Sequence, residues 1–254
     1  MHPSAIIHDS AKIGENVSVG PFSIVEKNTV IEDGVEIRAH AMIGENTILR
    51  RNCKVFHGAV VGEIPQDLKF NGENTYVEVG ESTVIREYVT IHRGTDDRHK
   101  TLLGRNCLIM AYAHVAHDCF LGDNVILANA VNLAGHVTLE DYVILGGLVP
   151  VHQFVRIGKH AYIGGGYRVS KDVPPFILAS SEPLTYAGLN VVGLRRRGFT
   201  AENRSLIKKA YRLLFRSEYN TSQALEQIKT QLTQTEEVKY IIQFVEQSER
   251  GIIG

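Results

Sequence analysis

The residues able to do acid–base chemistry concentrate in Ala113-His114-Val115-Ala116-His117-Asp118, with Gly135-His136 and His152-Gln153 further on. Steps of 18 residues connect them: His117 leads to Gly135 and then Gln153, and Asp118 leads to His136. Imidazole is the side chain whose unperturbed pKa lets it take a proton near neutral pH, and general-base help is worth roughly 10²- to 10⁴-fold. His117 beside Asp118 is the best pair for that role. A glycine directly above a histidine leaves space for a substrate and exposes a backbone N–H of the kind an oxyanion needs. An isolated histidine on such a surface is more often a solvated edge residue than a base. Four histidines, an acid, a glycine and a glutamine at these spacings read better as a cleft.

A second cluster, Leu194-Arg195-Arg196-Arg197-Gly198, is either a solvated basic turn or a diphosphate clamp. Guanidinium makes fixed bidentate contacts with phosphate oxygens, as a nucleotide sugar would require, and nearby basic residues suit an acidic carrier protein. Cys53, Cys107 and Cys119 are odd in number and lack metal-ligand spacing, so free thiols in a reducing compartment are expected. No Gly-x-Ser-x-Gly elbow is present, which favours direct attack by a substrate hydroxyl over a covalent acyl-enzyme.

These groups need a scaffold with an 18-residue address, and the chain has one. Aliphatic residues recur every six positions from Ile7 through Val61, again at Val79, Ile85 and Ile91, and from Leu103 through Val169. A helix of period 3.6 cannot produce this. It is a hexapeptide repeat: three units make a triangular coil, the aliphatic residue fills its interior, and stacked coils bury what one coil cannot. The fold class is therefore mainly β, a left-handed parallel β-helix over 1–173, followed by a linker and helical domain over 174–254. All three cysteines fall on the fifth position of their hexapeptides, which reads as small interior packing, and Cys53 and Cys107 are placed three coils apart. The interruptions near 63–75 and 94–101 read as projecting loops, where function often sits. Past Asp172-Val173-Pro174-Pro175, Thr200 can cap a helix with Leu206, Ile207, Ala210, Tyr211, Leu213 and Leu214 as its apolar stripe. Leu225, Ile228 and Leu232 suggest a second helix, and Val238, Ile241, Ile242 and Val245 a third, together capping the end of the β-helix.

The chain has 254 residues, with 27 Lys plus Arg against 28 Asp plus Glu. No global field marks nucleic acid or an anionic membrane as partner. No segment approaches the twenty or so apolar residues of a membrane span, and no leader pattern opens the chain, so a cytoplasmic protein is expected. Histidines on such coils can also hold zinc between subunits, as in the carbonic anhydrases of this repeat. The His114-x-x-His117 spacing, with glycine and glutamine in the stack, suits hydrogen bonding better than tetrahedral ligation, and no metal or other cofactor is expected.

The chain closely resembles the bacterial UDP-N-acetylglucosamine O-acyltransferases that begin lipid A synthesis. The resemblance rests on Gly62-Glu63 with Gln66-Asp67-Leu68-Lys69, Thr90-Ile91-His92-Arg93-Gly94, the His114 to Asp118 stretch, Leu133-Ala134-Gly135-His136, Val151-His152-Gln153-Phe154, Asp172-Val173-Pro174-Pro175 and Arg196-Arg197-Gly198-Phe199. It implies that His117 takes the proton from the glucosamine 3-hydroxyl, with Asp118 orienting it and Gly135 N–H meeting the thioester oxyanion. It also implies that Gln66, Asp67, Lys69, His92, His114, His136, His152 and Gln153 bind the sugar or the acyl β-hydroxyl. Asn190, Arg196 and Arg197 match positions that meet the nucleotide, and Gly147, Tyr162 and Gly165 fall in the region that sets acyl length. Val192 departs from the family, whose members carry an acidic residue near the uracil. The implied partners are acyl carrier protein, UDP-N-acetylglucosamine and two further copies of the chain, in a homotrimer with sites between subunits. Three other readings stand beside this one. They are the N-acyltransferase of the same pathway, which usually carries a globular domain before its repeats, a zinc hydratase, and a purely structural β-helix.

Overall fold

The computed structural model describes residues 1–254. Most strands are two residues long, with the first side chain turned outward and the second inward, as in Ile24–Val25, where Ile24 is exposed and Val25 buried. Alternation across a strand makes every sixth residue an interior one, so the aliphatic period becomes the core. The strands stack into three sheets. The first face runs from Ile6–Ile7 to Pro150–Val151, the second from Lys12–Ile13 to Arg156–Ile157, and the third from Ser18–Val19 through Tyr162–Ile163 to Ile177–Ser180, edged by the antiparallel strand Thr185–Leu189.

From Asn16 onward, most corners turn on one residue in the left-handed region. Asn16, Asn28, Asn46, Asn52, Asn106 and Asn124 fill many of these positions, as expected of the residue that tolerates this conformation best after glycine. Aromatic residues fill others and stack along the edges. Tyr88 lies on Tyr112 at 5.4 Å between centroids, His136 on Phe154 at 4.4 Å, and Tyr142 on His160 at 4.7 Å.

Both loops leave the same edge, between the first and second faces. One joins Val60–Glu63 to Tyr76–Val79 and the other joins Thr90–His92 to Lys100–Leu103. The flanking strands lengthen and pair in full register from Tyr76 with Lys100 to Val79 with Leu103, so the excursions are 64–75 and 93–99. The loops also correct the cysteine spacing. Lys54 pairs with Val84 and Val84 with Leu108, which sets Cys53 and Cys107 two coils apart, since the inserted residues lengthen the intervening coils. All three thiols are interior, and burial pushes Cys53 and Cys119 up to about 12 and Cys107 to about 11.

The third face continues past Val173, because Ile177 and Ala179 still insert into the core although Pro174 and Pro175 break the strict period. A boundary drawn at 173 from the aliphatic phase therefore cuts the last coil. Four helices follow: α1 Val191–Arg196, α2 Ala201–Phe215, α3 Thr221–Gln231 and α4 Glu236–Glu246. Thr200, Asn220 and Thr235 cap the last three, each accepting from a backbone N–H in the first turn. Ile207, Ala210, Tyr211 and Leu214 form the buried stripe of α2, and Tyr211 Oη donates to Pro175 O at 2.6 Å, docking the bundle on the prism. The bundle does more than cap the end. Tyr240 of α4 bonds Glu140 on the second face, and Arg156 lies 4.5 Å above the Phe244 ring. No helix is long and apolar enough to cross a membrane.

Candidate active site

His114 projects outward from the first face while its strand neighbour Val115 fills the core. The chain then turns, and His117 and Asp118 form the edge from which both loops also rise. Asp118 is left-handed, with φ 59°, but His136 and Phe154 share that conformation in the next two coils. The fold imposes it there, so it is not a strain peculiar to the site.

His117 Nδ1 lies 2.8 Å from Asp118 Oδ2. A carboxylate can only accept, so Nδ1 carries the hydrogen and Nε2 is left as an acceptor. The Asp118 side chain is fully buried. Burial pushes its pKa up, but the hydrogen bonds from His117 and from Thr95 outweigh this and hold it down at about 2. Thr95 N donates to Oδ1 at 3.0 Å and Oδ2 at 3.1 Å, Thr95 Oγ1 to Oδ2 at 2.6 Å, and Arg98 N to Oδ1 at 3.2 Å. The carboxylate thus stays charged and fixes the tautomer of His117, leaving Nε2 as the ring atom able to take a proton.

One coil further, a Cβ on Gly135 would lie 2.6 Å from His117 Cε1 and 2.7 Å from Nε2. The imidazole itself occupies the space that the sequence reading reserves for substrate. Ala134 N and His136 N each donate to a backbone carbonyl at 3.1 Å, whereas Gly135 N–H has no acceptor in the chain. It is a free donor on the residue against which the His117 ring packs.

A cleft of about 360 Å³ opens here, lined by Gln66, His92, His114, His117 and Gly135 among others. Burial lowers the pKa of His92 to about 4, with the His114 and His117 charges adding to it, and burial followed by His117 lowers that of His114. Both are neutral near pH 7. Thr90 Oγ1 lies 2.7 Å from His114 Nδ1, and His92 Nδ1 is buried without a partner. A second cleft of about 430 Å³ holds Asp67, Lys69, Thr95, Asp97, His136 and Phe154, and adjoins the first through the edge-to-face pair His117 and His136, 5.1 Å apart. Burial lowers the His136 pKa, with Asp118 opposing. Its Nδ1 comes within 3.0 Å of Asp97 Oδ2 but out of line for a hydrogen bond, so only the charge proximity counts.

His117, Asp118 and His136 each offer a ligand atom within 4.8 Å of the others. The Asp118 oxygens, however, already accept from Thr95, Arg98 and His117, so the trio fits a hydrogen-bond network better than a zinc site.

Other expected residues lie elsewhere. His152 and Gln153 are exposed on the next coil, with His152 Nδ1 3.1 Å from Gln153 O. The Asn190 amide is spent on structure: Oδ1 accepts from Gly193 N and Nδ2 donates to His160 O, both at 3.0 Å. Arg196 and Tyr162 share a mainly apolar cleft of about 330 Å³ on the third face. Arg197 stacks on Tyr142, 4.3 Å from its centroid, at the edge between the second and third faces. Gly147 and Gly165 sit at the remaining edge, where a Cβ on Gly165 would come within 3.1 Å of Gly147 O. Residues expected to serve catalysis, phosphate binding and chain length are therefore spread around the prism, with His117, Arg197 and the Gly147–Gly165 pair on three different edges and Arg196 sharing a third-face cleft with Tyr162. Sequence reasoning missed Thr95, Arg98 and Thr90. The first two lie in an interruption, where the period assigns no address.

Residues 172–253 match the family model described as Udp N-acetylglucosamine O-acyltransferase, Domain 2, and residues 10–45 match the bacterial transferase hexapeptide. Over 253 residues the chain is 57% identical to the acyl-(acyl-carrier-protein)–UDP-N-acetylglucosamine O-acyltransferase of Sulfurihydrogenibium sp., covering 99% of this chain and 93% of that one. It is 56% identical to the protein of the same name from Aquifex aeolicus, covering 99% and 97%. The crystal structure of a UDP-N-acetylglucosamine acyltransferase from Bacteroides fragilis superposes with a TM-score of 0.98 at 45% identity, covering all of both chains.

Proposed function

Because the chain belongs to the UDP-N-acetylglucosamine O-acyltransferase family, we propose that it moves a 3-hydroxyacyl chain from acyl carrier protein to the sugar 3-hydroxyl, with His117 as the base. The chain is an acyltransferase of lipid A biosynthesis. The observation that carries the mechanism is a single juxtaposition: an imidazole whose Nδ1 is tied to a buried carboxylate packs against Gly135, a residue whose backbone N–H is free. His117 Nε2 takes the proton as the sugar oxygen attacks the thioester carbon. The Gly135 N–H meets the oxyanion, a donor worth roughly 10²- to 10³-fold where such donors have been removed. The C–S bond then breaks, the acyl group stays on the sugar oxygen, and the imidazolium returns its proton to the departing carrier thiolate. No covalent acyl-enzyme forms.

Around this centre, Gln66, Asp67, Lys69, His92, His114, His136, His152 and Gln153 hold the sugar and the acyl β-hydroxyl. Arg196 and Arg197 hold the diphosphate, and Asn190 shapes their approach by capping α1. Gly165, above Gly147 and near Tyr162, ends the acyl groove. These sets reach one another in a cytoplasmic homotrimer. Phe22, Tyr88, Tyr112 and Leu148 leave 49 to 69% of their surface exposed along the edge between the third and first faces, which suits burial against another copy.

The test is transfer to UDP-N-acetylglucosamine from 3-hydroxyacyl carrier proteins of graded length, followed by mass spectrometry. Wild type forms product with one preferred length, and His117→Ala loses about 10²-fold or more. Product from His117→Ala at the wild-type rate would remove the base, and no product at any length would remove this acceptor.

A further inference from the structure

Most corner residues of the prism point outward, as Phe154 does at 49% exposure, yet the Asp118 side chain at the same edge is fully buried. The 93–99 loop makes the difference. Arg93 N donates to Glu63 O and Gly94 N to Tyr76 O, anchoring the loop where it leaves the first face. A side chain at Gly94 would come within 2.3 Å of Lys100 N, so glycine lets the two ends of the loop close together. Arg98 then ties the loop down, with Nη1 donating to Asp118 O at 2.9 Å and its guanidinium 4.9 Å above the Phe120 ring. Thr95 is thereby fixed against the carboxylate. Its hydroxyl reaches Oδ2, the same oxygen that accepts from His117, while its amide spans both oxygens.

Resting on the base reading of His117, we infer that Thr95 is a positioning residue: its hydroxyl holds the Asp118 carboxylate in the plane that directs the His117 imidazole at the acceptor. With the hydroxyl gone, Oδ2 loses its shortest donor and keeps His117 and the Thr95 amide, so the carboxylate is oriented only by His117 and by the backbone N–H groups of Thr95 and Arg98. A misaimed base costs rate in the chemical step and leaves substrate binding untouched, because Thr95 acts through Asp118.

The experiment compares wild type, Thr95→Val, Thr95→Ser, His117→Ala, Asp118→Ala and the Thr95→Val/Asp118→Ala double variant, all as full chains, in the transfer assay with thermal unfolding measured alongside. Thr95→Val is expected to lower kcat about 10-fold with both KM values held within about 2-fold, Thr95→Ser to restore the rate, and Thr95→Val to cost nothing further once Asp118 is alanine. Should Thr95→Val fail to fold, Thr95→Ala is judged by the same criteria. Wild-type kcat in Thr95→Val, failure of serine to rescue, or an undiminished loss in the Asp118→Ala background would each overturn the assignment. His117→Ala separates the two failures. If it retains wild-type activity the base reading falls and Thr95 with it, whereas an inactive His117→Ala beside a fully active Thr95→Val overturns the positioning role alone.

Discussion

The imidazole of His117 fills the space that a side chain on Gly135 would need, 2.6 Å from the nearest ring atom. The obstructed group is the end of a side chain and not backbone, and Gly135 has no left-handed φ to preserve. Gly135→Ala should therefore fold and keep its backbone N–H, while pushing the ring off line. A displacement near 1 Å at a reacting group costs on the order of 10²-fold. The expected outcome is a kcat loss of about that size with a melting temperature within a few degrees of wild type, read from kinetics and a thermal scan on one preparation.

His160 gives the fold a dependence on pH that is separate from catalysis. It is stacked between Tyr142 and Phe176, with Phe199 edge-on, and burial, followed by the Lys159 and Arg197 charges, lowers its pKa to about 4. The folded value lies below the ordinary 6.5, so protonation favours the unfolded chain. Stability from this group is complete above pH 6.5 and is lost as the pH falls toward 4, by at most about 3 kcal/mol. His160→Phe keeps the aromatic stack and removes the titration. Urea unfolding at fixed protein concentration should show a flatter stability profile between pH 6.5 and 4 for the variant, with the buried His92 supplying much of the slope that remains. Equal slopes would mean that His160 is charged, or hydrated, in the folded protein.

Much of this was readable in the sequence, for a reason visible in individual residues. The coil is a fixed length wherever nothing is inserted, so His117, Gly135 and Gln153 stack as their spacing predicts, and Asp118 stands below His136. The same arithmetic misplaces Cys107 relative to Cys53, because both loops lie between them. It says nothing of Thr95 and Arg98, whose contacts are made by a segment outside the period. Asn190 shows a different limit. Its position before Val191 and three residues ahead of Gly193 is a capping signature, but whether an amide serves a helix or a ligand depends on atoms that spacing does not place.

The last prediction concerns the distance between groups that one reaction must use together. His117 lies on the edge between the first and second faces, Arg197 on the edge between the second and third, and Arg196 on the third face beside Tyr162. A rigid prism cannot fold these surfaces onto one substrate, so a site that uses all of them draws on two chains. Complementation then becomes possible. In the proposed homotrimer, assemblies of His117→Ala alone would lack the proposed base, and those of an Arg196→Ala/Arg197→Ala variant alone would lack the proposed clamp and should show a KM for the sugar nucleotide raised about 10-fold or more. In mixed trimers some interfaces pair an intact His117 edge from one chain with intact arginines from its neighbour, and transfer at low sugar nucleotide should exceed the sum of the two parents. Co-expression with distinct affinity tags isolates those mixed species for the assay. Activity no greater than the parental average would place the whole site within one protomer, and the arginines would have to be reassigned to the surface that receives the carrier protein.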